Sequence, residues 1–134
     1  MNNSTTRPVS IIIAAGLIAF YAAMVIVWDL LAPFERPYAQ GPVSVVFGLR
    51  VFGIWAQLMH VLQLGVALAL AYGLWTMQRW GWHLVLFVVG YMLLSSTVWL
   101  MVYQEYSRIV FALLNIVIVN ILLALTLPHH EKFA

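Results

Sequence analysis

The side chains in this chain that could do chemistry lie mainly around one histidine in an apolar segment. They are Arg50, Gln57, His60, Gln63, Ser96 and Asn115. On a helix, where residues turn by ~100°, Arg50 and Gln57 nearly superpose, and a polar stripe continues through His60 and Gln63. Because polar groups avoid lipid, we expect the six residues to line a polar vestibule. The vestibule would bind a small ligand; alternatively, its groups only hydrogen-bond between helices and stabilise the bundle.

Catalysis and cofactor binding find little support in the composition. The absence of cysteine excludes disulfides, thiolate metal sites and thiol catalysis. No metalloprotease, phosphate-loop or serine-hydrolase motif occurs, and no carboxylate pair lies inside an apolar segment. We expect His129, His130 and Glu131 to be solvated, and we predict no metal site. We also predict no cofactor, although axial ligation of a haem or a pigment by His60 stays open.

The elements that must position these residues are four long stretches without Asp, Glu, Lys or Arg, at residues 8–28, 51–78, 80–104 and 109–130. Each reaches the roughly 20 residues with which a helix crosses a ~30 Å hydrocarbon layer. Hydrophobic residues make up 65% of the chain and charged residues 7%, whereas soluble domains average about 45–50% and about 25%. The sequence therefore predicts an all-α integral membrane protein, a single domain over residues 1–134. We expect an up-down bundle of four transmembrane helices, with spans at about 9–31, 52–77, 82–103 and 109–127.

The connections between these spans are predicted from breakers. Three prolines and a glycine indicate a loop at residues 33–42. Residues 43–49 are expected at the membrane interface or protruding from it, with bends at Gly48 and Gly53. Pro128 should end the fourth helix and leave the following residues in water.

Small residues recur at a spacing of four in the first two spans, which permits close helix packing in lipid. These residues are Ala15, Ala19, Ala23, Gly65, Ala69 and Gly73. Both series lie in the half of the bundle nearer the second connection, whereas the polar residues lie in the other half. Whether the small residues pack within the chain or against a partner stays open. In the second connection, Gly81 is expected to take the left-handed conformation that ends a helix.

Known families of small four-span proteins give no residues to carry over. Small multidrug-resistance transporters need an acidic residue in the middle of their first helix, where this chain has alanines at 19, 22 and 23. Quinone-linked disulfide oxidases need cysteine pairs. The membrane-associated glutathione-transferase family resembles the chain in size and span count, but its Arg/Asn/Glu pattern for glutathione is not visible.

These observations together predict a multi-pass protein of the cell membrane with both termini in the cytoplasm, because the opposite side holds the longer loop and more acidic residues. We expect a non-catalytic structural or accessory subunit of a membrane complex, or a homo-oligomer. The alternative is a binder or transporter of a small ligand through the vestibule around His60. The expected partners are the lipid bilayer and other membrane subunits or copies of the chain. Nucleic acid is not expected, because the six cations form no cluster.

Overall fold

The computed structural model describes residues 6–31, 41–104 and 106–134. Its elements in chain order are helix α1 (Val9–Met24) with a π-helical continuation (Val25–Leu31), strands β1 (Val43–Val46) and β2 (Leu49–Phe52), helices α2 (Ile54–Trp75), α3 (Arg79–Val102) and α4 (Tyr106–Thr126), and a short 3₁₀ helix (Leu127–Lys132). Four helical segments are long and apolar enough to cross a membrane, as predicted. The loop expected at residues 33–42 lies outside the described residues, apart from its last two.

The four helices form a bundle in which each packs against the next along the chain and α4 also packs against α1. The guanidinium of Arg7 lies 4.5 Å from the ring centre of Trp75, so the start of α1 meets the end of α2. Only residues 76–78 separate α2 from α3, and so short a connection makes them antiparallel neighbours. The helices therefore alternate in direction, as an up-down bundle requires.

The buried apolar core lies at the end of the bundle that holds the α2–α3 connection. Its members come from all four helices and from the segment after α4: Ile11, Ala14, Ala15, Leu70, Leu74, Val85, Val89, Val119, Leu122 and Phe133. Phe133 is only 6% exposed, so the expectation that the residues after Pro128 trail into water is wrong for Phe133, whereas His130, Glu131 and Lys132 are exposed. The 3₁₀ helix folds back because Ala134 bridges the connection: its N–H donates to the Met77 carbonyl at 3.0 Å, and its carbonyl accepts from the Arg79 N–H at 2.6 Å.

Two glycines set the distance between α2 and α3 beside this connection. A Cβ atom added to Gly81 would lie 2.6 Å from the carbonyl carbon of Gly73, and one added to Gly73 would lie 2.7 Å from the Cα of Gly81. Gly81 therefore does not end the second helix in a left-handed conformation, as the sequence suggested. It lies in the first turn of α3, where it lets the backbones touch, and Met77 takes the positive φ of 54° instead.

The ten residues before α2 form an antiparallel hairpin, which corrects the all-helical prediction for this part of the chain. Val43 pairs with Phe52, and Val46 pairs with Leu49 at the turn. The bends expected at Gly48 and Gly53 are confirmed by their positive φ angles of 78° and 64°. Residues 43–49 do not simply protrude, because the hairpin lies against α2 and α3. Alternating β-branched residues favour the strands. The chain reverses at the two turn residues Phe47 and Gly48.

Candidate functional site

The hairpin lies against the polar surface of the bundle, and its turn is fixed on α3. Gly48 is buried, and an added Cβ would lie 2.5 Å from the Ser95 carbonyl oxygen and 2.6 Å from the Val98 Cβ. Phe47 has a φ of 49°, which is costly for a residue with a bulky side chain. Its N–H donates to the Tyr91 hydroxyl at 3.2 Å, and the two rings meet edge to face at 5.2 Å. These contacts hold the strained turn in place.

Two polar side chains of α2 hold the first strand. The Nε2 atom of His60 donates to the carbonyl oxygen of Val43 at 3.1 Å, and the amide of Gln63 donates to the Ser44 hydroxyl at 3.3 Å. Ser44 and His60 are buried, at 4% and 7% exposed. The polar stripe of α2 therefore contacts the chain's own hairpin, which occupies the region where the sequence suggested a vestibule.

Arg50 lies on β2 and not on a helix, so the predicted superposition of Arg50 and Gln57 on one helical face is wrong. The cause is the chain reversal at Gly48 and the bend at Gly53, which separate residue 50 from α2. The Arg50 guanidinium lies 5.4 Å from the Trp99 ring centre and 5.0 Å from that of Tyr103. Its backbone N–H donates to the Tyr103 hydroxyl at 3.3 Å. Arg50 thus stacks against the aromatic end of α3.

Beneath the hairpin, two buried polar atoms lack a hydrogen-bond partner among the described residues: Nδ1 of His60 and Nε2 of Gln57. Because a carbonyl oxygen only accepts, Nε2 of His60 carries the ring proton in the neutral form, and Nδ1 is left as an acceptor. The Gln57 amide is a donor. An unpaired donor and an unpaired acceptor therefore lie three residues apart on α2, where side chains share a face. A water molecule or a hydroxyl group is the chemical species that satisfies both.

The other predicted site residues are less closely connected to His60. Ser96 is buried on α3, and Asn115 is half-buried on α4. No hydrogen bond joins either residue to His60 within the described part of the chain. The polar half of the bundle thus brings together Gln57, His60 and Gln63 on α2, whereas Arg50 lies on the second strand of the hairpin.

The small residues predicted for helix packing divide between the interior and the outer surface. Ala15 and Gly73 are buried, and Ala69 is half-buried. Ala19, Ala23 and Gly65 are exposed, and an added Cβ on Gly65 would meet no atom within 4 Å. The interior members pack within the chain, and the exposed members stay candidates for contact with a partner.

Sequence reasoning missed the hairpin and, with it, Ser44 and Tyr91. The signal was present in the segment VSVVFGLRVF, in which β-branched and aromatic residues flank a Phe-Gly pair. His83 and His130 both line one groove at the opposite end of the bundle. No cluster of three or more His, Cys, Asp or Glu that could hold a metal ion occurs among the described residues.

The fold and the site together define a four-helix bundle with long apolar helices and a hairpin held by a polar stripe. Comparison of the chain with protein-family models, with curated proteins and with solved structures gives no match.

Proposed function

We propose that the four helices cross the cell membrane and that the chain is a non-catalytic subunit, which assembles with other membrane subunits or with copies of itself. The first part rests on exposure. In the most apolar 18 residues of each span, only 22–28% are buried in the chain's own interior. Large side chains such as Phe20, Phe87 and Phe111 are each 66% exposed. Contiguous apolar surface on this scale requires lipid or protein to cover it.

The assembly part rests on a single side chain, Asn120. Asn120 belongs to one row of exposed α4 residues with the alternating spacings of three and four that a helix-packing seam uses: Val110, Leu113, Val117, Asn120 and Ala124. Asn120 lies at the centre of the apolar segment Ile109–Lys132. Its amide donates to the Ile116 carbonyl at 2.7 Å, which leaves its own carbonyl oxygen and second N–H unpaired within the described chain.

An amide with unpaired groups is unfavourable in hydrocarbon, because lipid offers no hydrogen-bond partner. Asparagine side chains in membrane helices are paired across helix contacts, each contributing about 0.6–2 kcal/mol. An amide both donates and accepts, so the same residue on a second copy is a suitable partner. Asn120 therefore supports an interface on the outer face of α4.

The test is the mass of the assembly after gentle detergent extraction, measured for the wild type and for Asn120→Leu. We expect the wild type to migrate as an oligomer or with partner subunits. The variant should dissociate already at about tenfold higher protein concentration, which corresponds to an assembly weaker by ~1.4 kcal/mol. Thr97→Val is the matched control. Thr97 is also exposed on an apolar helix, and its hydroxyl donates to the Leu93 carbonyl at 2.8 Å, one turn back. A strictly monomeric wild type, or equal effects of both substitutions, contradicts assembly through α4.

The second candidate function is the binding of a small hydroxyl-bearing ligand beneath the hairpin. One observation favours it: the unpaired acceptor of His60 beside the unpaired donor of Gln57. The substitution His60→Phe should abolish retention of such a ligand while the helices stay folded. Gln63→Leu is its control, because it removes a hairpin contact without touching the unpaired atoms. Unchanged assembly and unchanged ligand retention in His60→Phe would remove this candidate.

The cytoplasmic placement of both termini stays a prediction. The chain has no cysteine of its own, so single cysteines introduced at Arg7 and at Glu131 can be labelled from one side of the membrane without background. Labelling of both cysteines by a reagent that stays on the outer side would show that both termini lie outside the cell and contradict the prediction.

A further inference from the structure

A groove of about 460 Å³ lies at the end of the bundle opposite the hairpin, between the first turns of α3 and the 3₁₀ helix. Its lining residues are Arg79, Trp82, His83, His130, Glu131 and Phe133. None of them takes part in the hairpin contacts or in the seam on α4. The groove therefore stands apart from the site around His60.

The walls of this groove are held by specific contacts. Ala134 hydrogen-bonds to both sides of the α2–α3 connection, and Phe133 is buried in the core. The Trp82 ring lies 6.1 Å from the Phe133 ring and 6.0 Å from the His130 ring. Nδ1 of His130 donates to the Leu127 carbonyl at 3.0 Å, which orients the imidazole. The segment after α4 is thus a fixed wall.

The charges in the groove have opposite signs. Arg79 supplies a guanidinium, and His83 and His130 supply imidazoles. Glu131 supplies a carboxylate whose side chain is 87% exposed and lies 3.9 Å from Nε2 of His130. A purely anionic ligand would meet the carboxylate, and a purely cationic ligand would meet the guanidinium. A ligand that carries one charge of each sign suits both.

The position of the groove further restricts the class of ligand that it can bind. It lies where α2 ends, α3 begins and α4 ends, and Trp75, Trp80 and Trp82 are all near this level. Tryptophan is enriched at the headgroup level of membranes. If the helices cross a membrane, the groove faces phospholipid headgroups.

We propose that this groove binds the headgroup of a phosphatidylethanolamine lipid. Arg79 and His83 bind the phosphate, since a guanidinium and an imidazole donate hydrogen bonds to phosphate oxygens. Glu131 accepts hydrogen bonds from the primary ammonium, and the face of the Trp82 ring attracts the same cation. The proposal rests on the membrane placement of the proposed function, but not on the interface at Asn120.

Native mass measurement of the full chain, extracted into detergent and given equal amounts of phosphatidylethanolamine, phosphatidylcholine and phosphatidylglycerol, tests the proposal. We expect phosphatidylethanolamine to be retained about fivefold over the other two, which is the ratio that one charged pair at a partly exposed site supplies. Phosphatidylcholine has the same phosphate but no ammonium N–H, and phosphatidylglycerol has no ammonium. Equal retention of the three lipids overturns the proposal.

Two substitutions test the contacts of the ammonium and of the phosphate separately. Glu131→Gln should remove the preference for ethanolamine over choline without lowering the retention of phosphatidylglycerol, because only the ammonium loses its partner. Arg79→Gln should reduce the retention of all three lipids by about fivefold, because all three carry the phosphate. Arg7→Gln is the control: it removes an equal charge at the same end of the bundle, but Arg7 stacks on Trp75 outside the groove. An effect of Arg7→Gln as large as that of Arg79→Gln contradicts the site.

A soluble headgroup separates a lipid site from a metabolite site. Glycerophosphoethanolamine has no acyl chains to bury, so it should displace the lipid only at a roughly 100-fold higher concentration. Displacement at equal concentration overturns the assignment to a lipid. Recovery of the wild type from the membrane fraction without any headgroup preference would end this proposal alone, whereas recovery from the aqueous fraction would end the proposed function as well.

Discussion

The contact between Gly48 and α3 allows the stability of the docked hairpin to be tested with one methyl group. In Gly48→Ala the new Cβ would lie 2.5 Å from the Ser95 carbonyl oxygen and 2.6 Å from the Val98 Cβ. Carbon atoms in contact normally lie about 3.5–4.0 Å apart, so the turn has to move away from α3 by about 1 Å. Such overpacking costs about 1–3 kcal/mol.

The backbone adds a second cost at the same position. Gly48 has a φ of 78°, and an L-residue in the left-handed region costs roughly 1–2 kcal/mol. The two effects together give about 3 kcal/mol. Because each 1.4 kcal/mol is a factor of ten, the population with the hairpin released from α3 should rise about 100-fold.

Hydrogen exchange of the hairpin amides, followed by mass spectrometry in detergent, measures this population. Gly41→Ala is the matched control, because Gly41 also has a positive φ, of 74°, but an added Cβ there meets no atom within 4 Å. It should show the backbone cost alone, which at ~1 kcal/mol raises the exchange of the hairpin amides about fivefold. Amides of α2 should exchange as in the wild type in both variants. Equal exchange in Gly48→Ala and Gly41→Ala would refute the steric part of the reasoning.

Three further predictions follow from the same contacts. Gly73→Ala should lower the free energy of unfolding by about 2 kcal/mol because it separates α2 from α3, whereas Gly65→Ala, which meets open space, should be neutral or stabilise by up to ~1 kcal/mol; thermal unfolding in detergent compares them. Phe133→Ala should cost about 3 kcal/mol by the same measurement, whereas Leu127→Ala, half-exposed on the 3₁₀ helix that precedes Phe133, should cost much less. Arg50→Gln should raise hairpin exchange about fivefold, since stacking on two rings is worth about 1 kcal/mol; unchanged exchange would mean that the stacking does not contribute.

The four helices could be predicted because their signal is the absence of charge over whole spans, which depends on no neighbour. The hairpin could not be predicted with the same ease. Seven of its ten residues are apolar, and a largely apolar run of that length is compatible with the start of a helix. The fit of Gly48 against the backbone of α3 decides that these residues form a hairpin and not a helix. This fit appears only when the helices are assembled.

The candidate site, too, could be predicted from the sequence only in part. The sequence locates Gln57, His60 and Gln63 on one polar stripe, because helical spacing is regular. It does not reveal that His60 binds the carbonyl of Val43, since every residue carries a carbonyl and a backbone acceptor has no sequence signature. The burial of Phe133 was missed for a related reason: a polar run of four residues precedes it, and a short 3₁₀ helix that folds back is not evident from composition.

The position of Phe133 has a consequence for biosynthesis. Ile11 and Phe133 belong to the same core cluster, so one core contains residues that the ribosome adds early and residues that it adds late. The helices can form one after another during translation, but the core that contains Ile11 stays incomplete until Phe133 has been added. Every round of synthesis therefore passes through an intermediate whose core is still incomplete and more open to quality-control proteases.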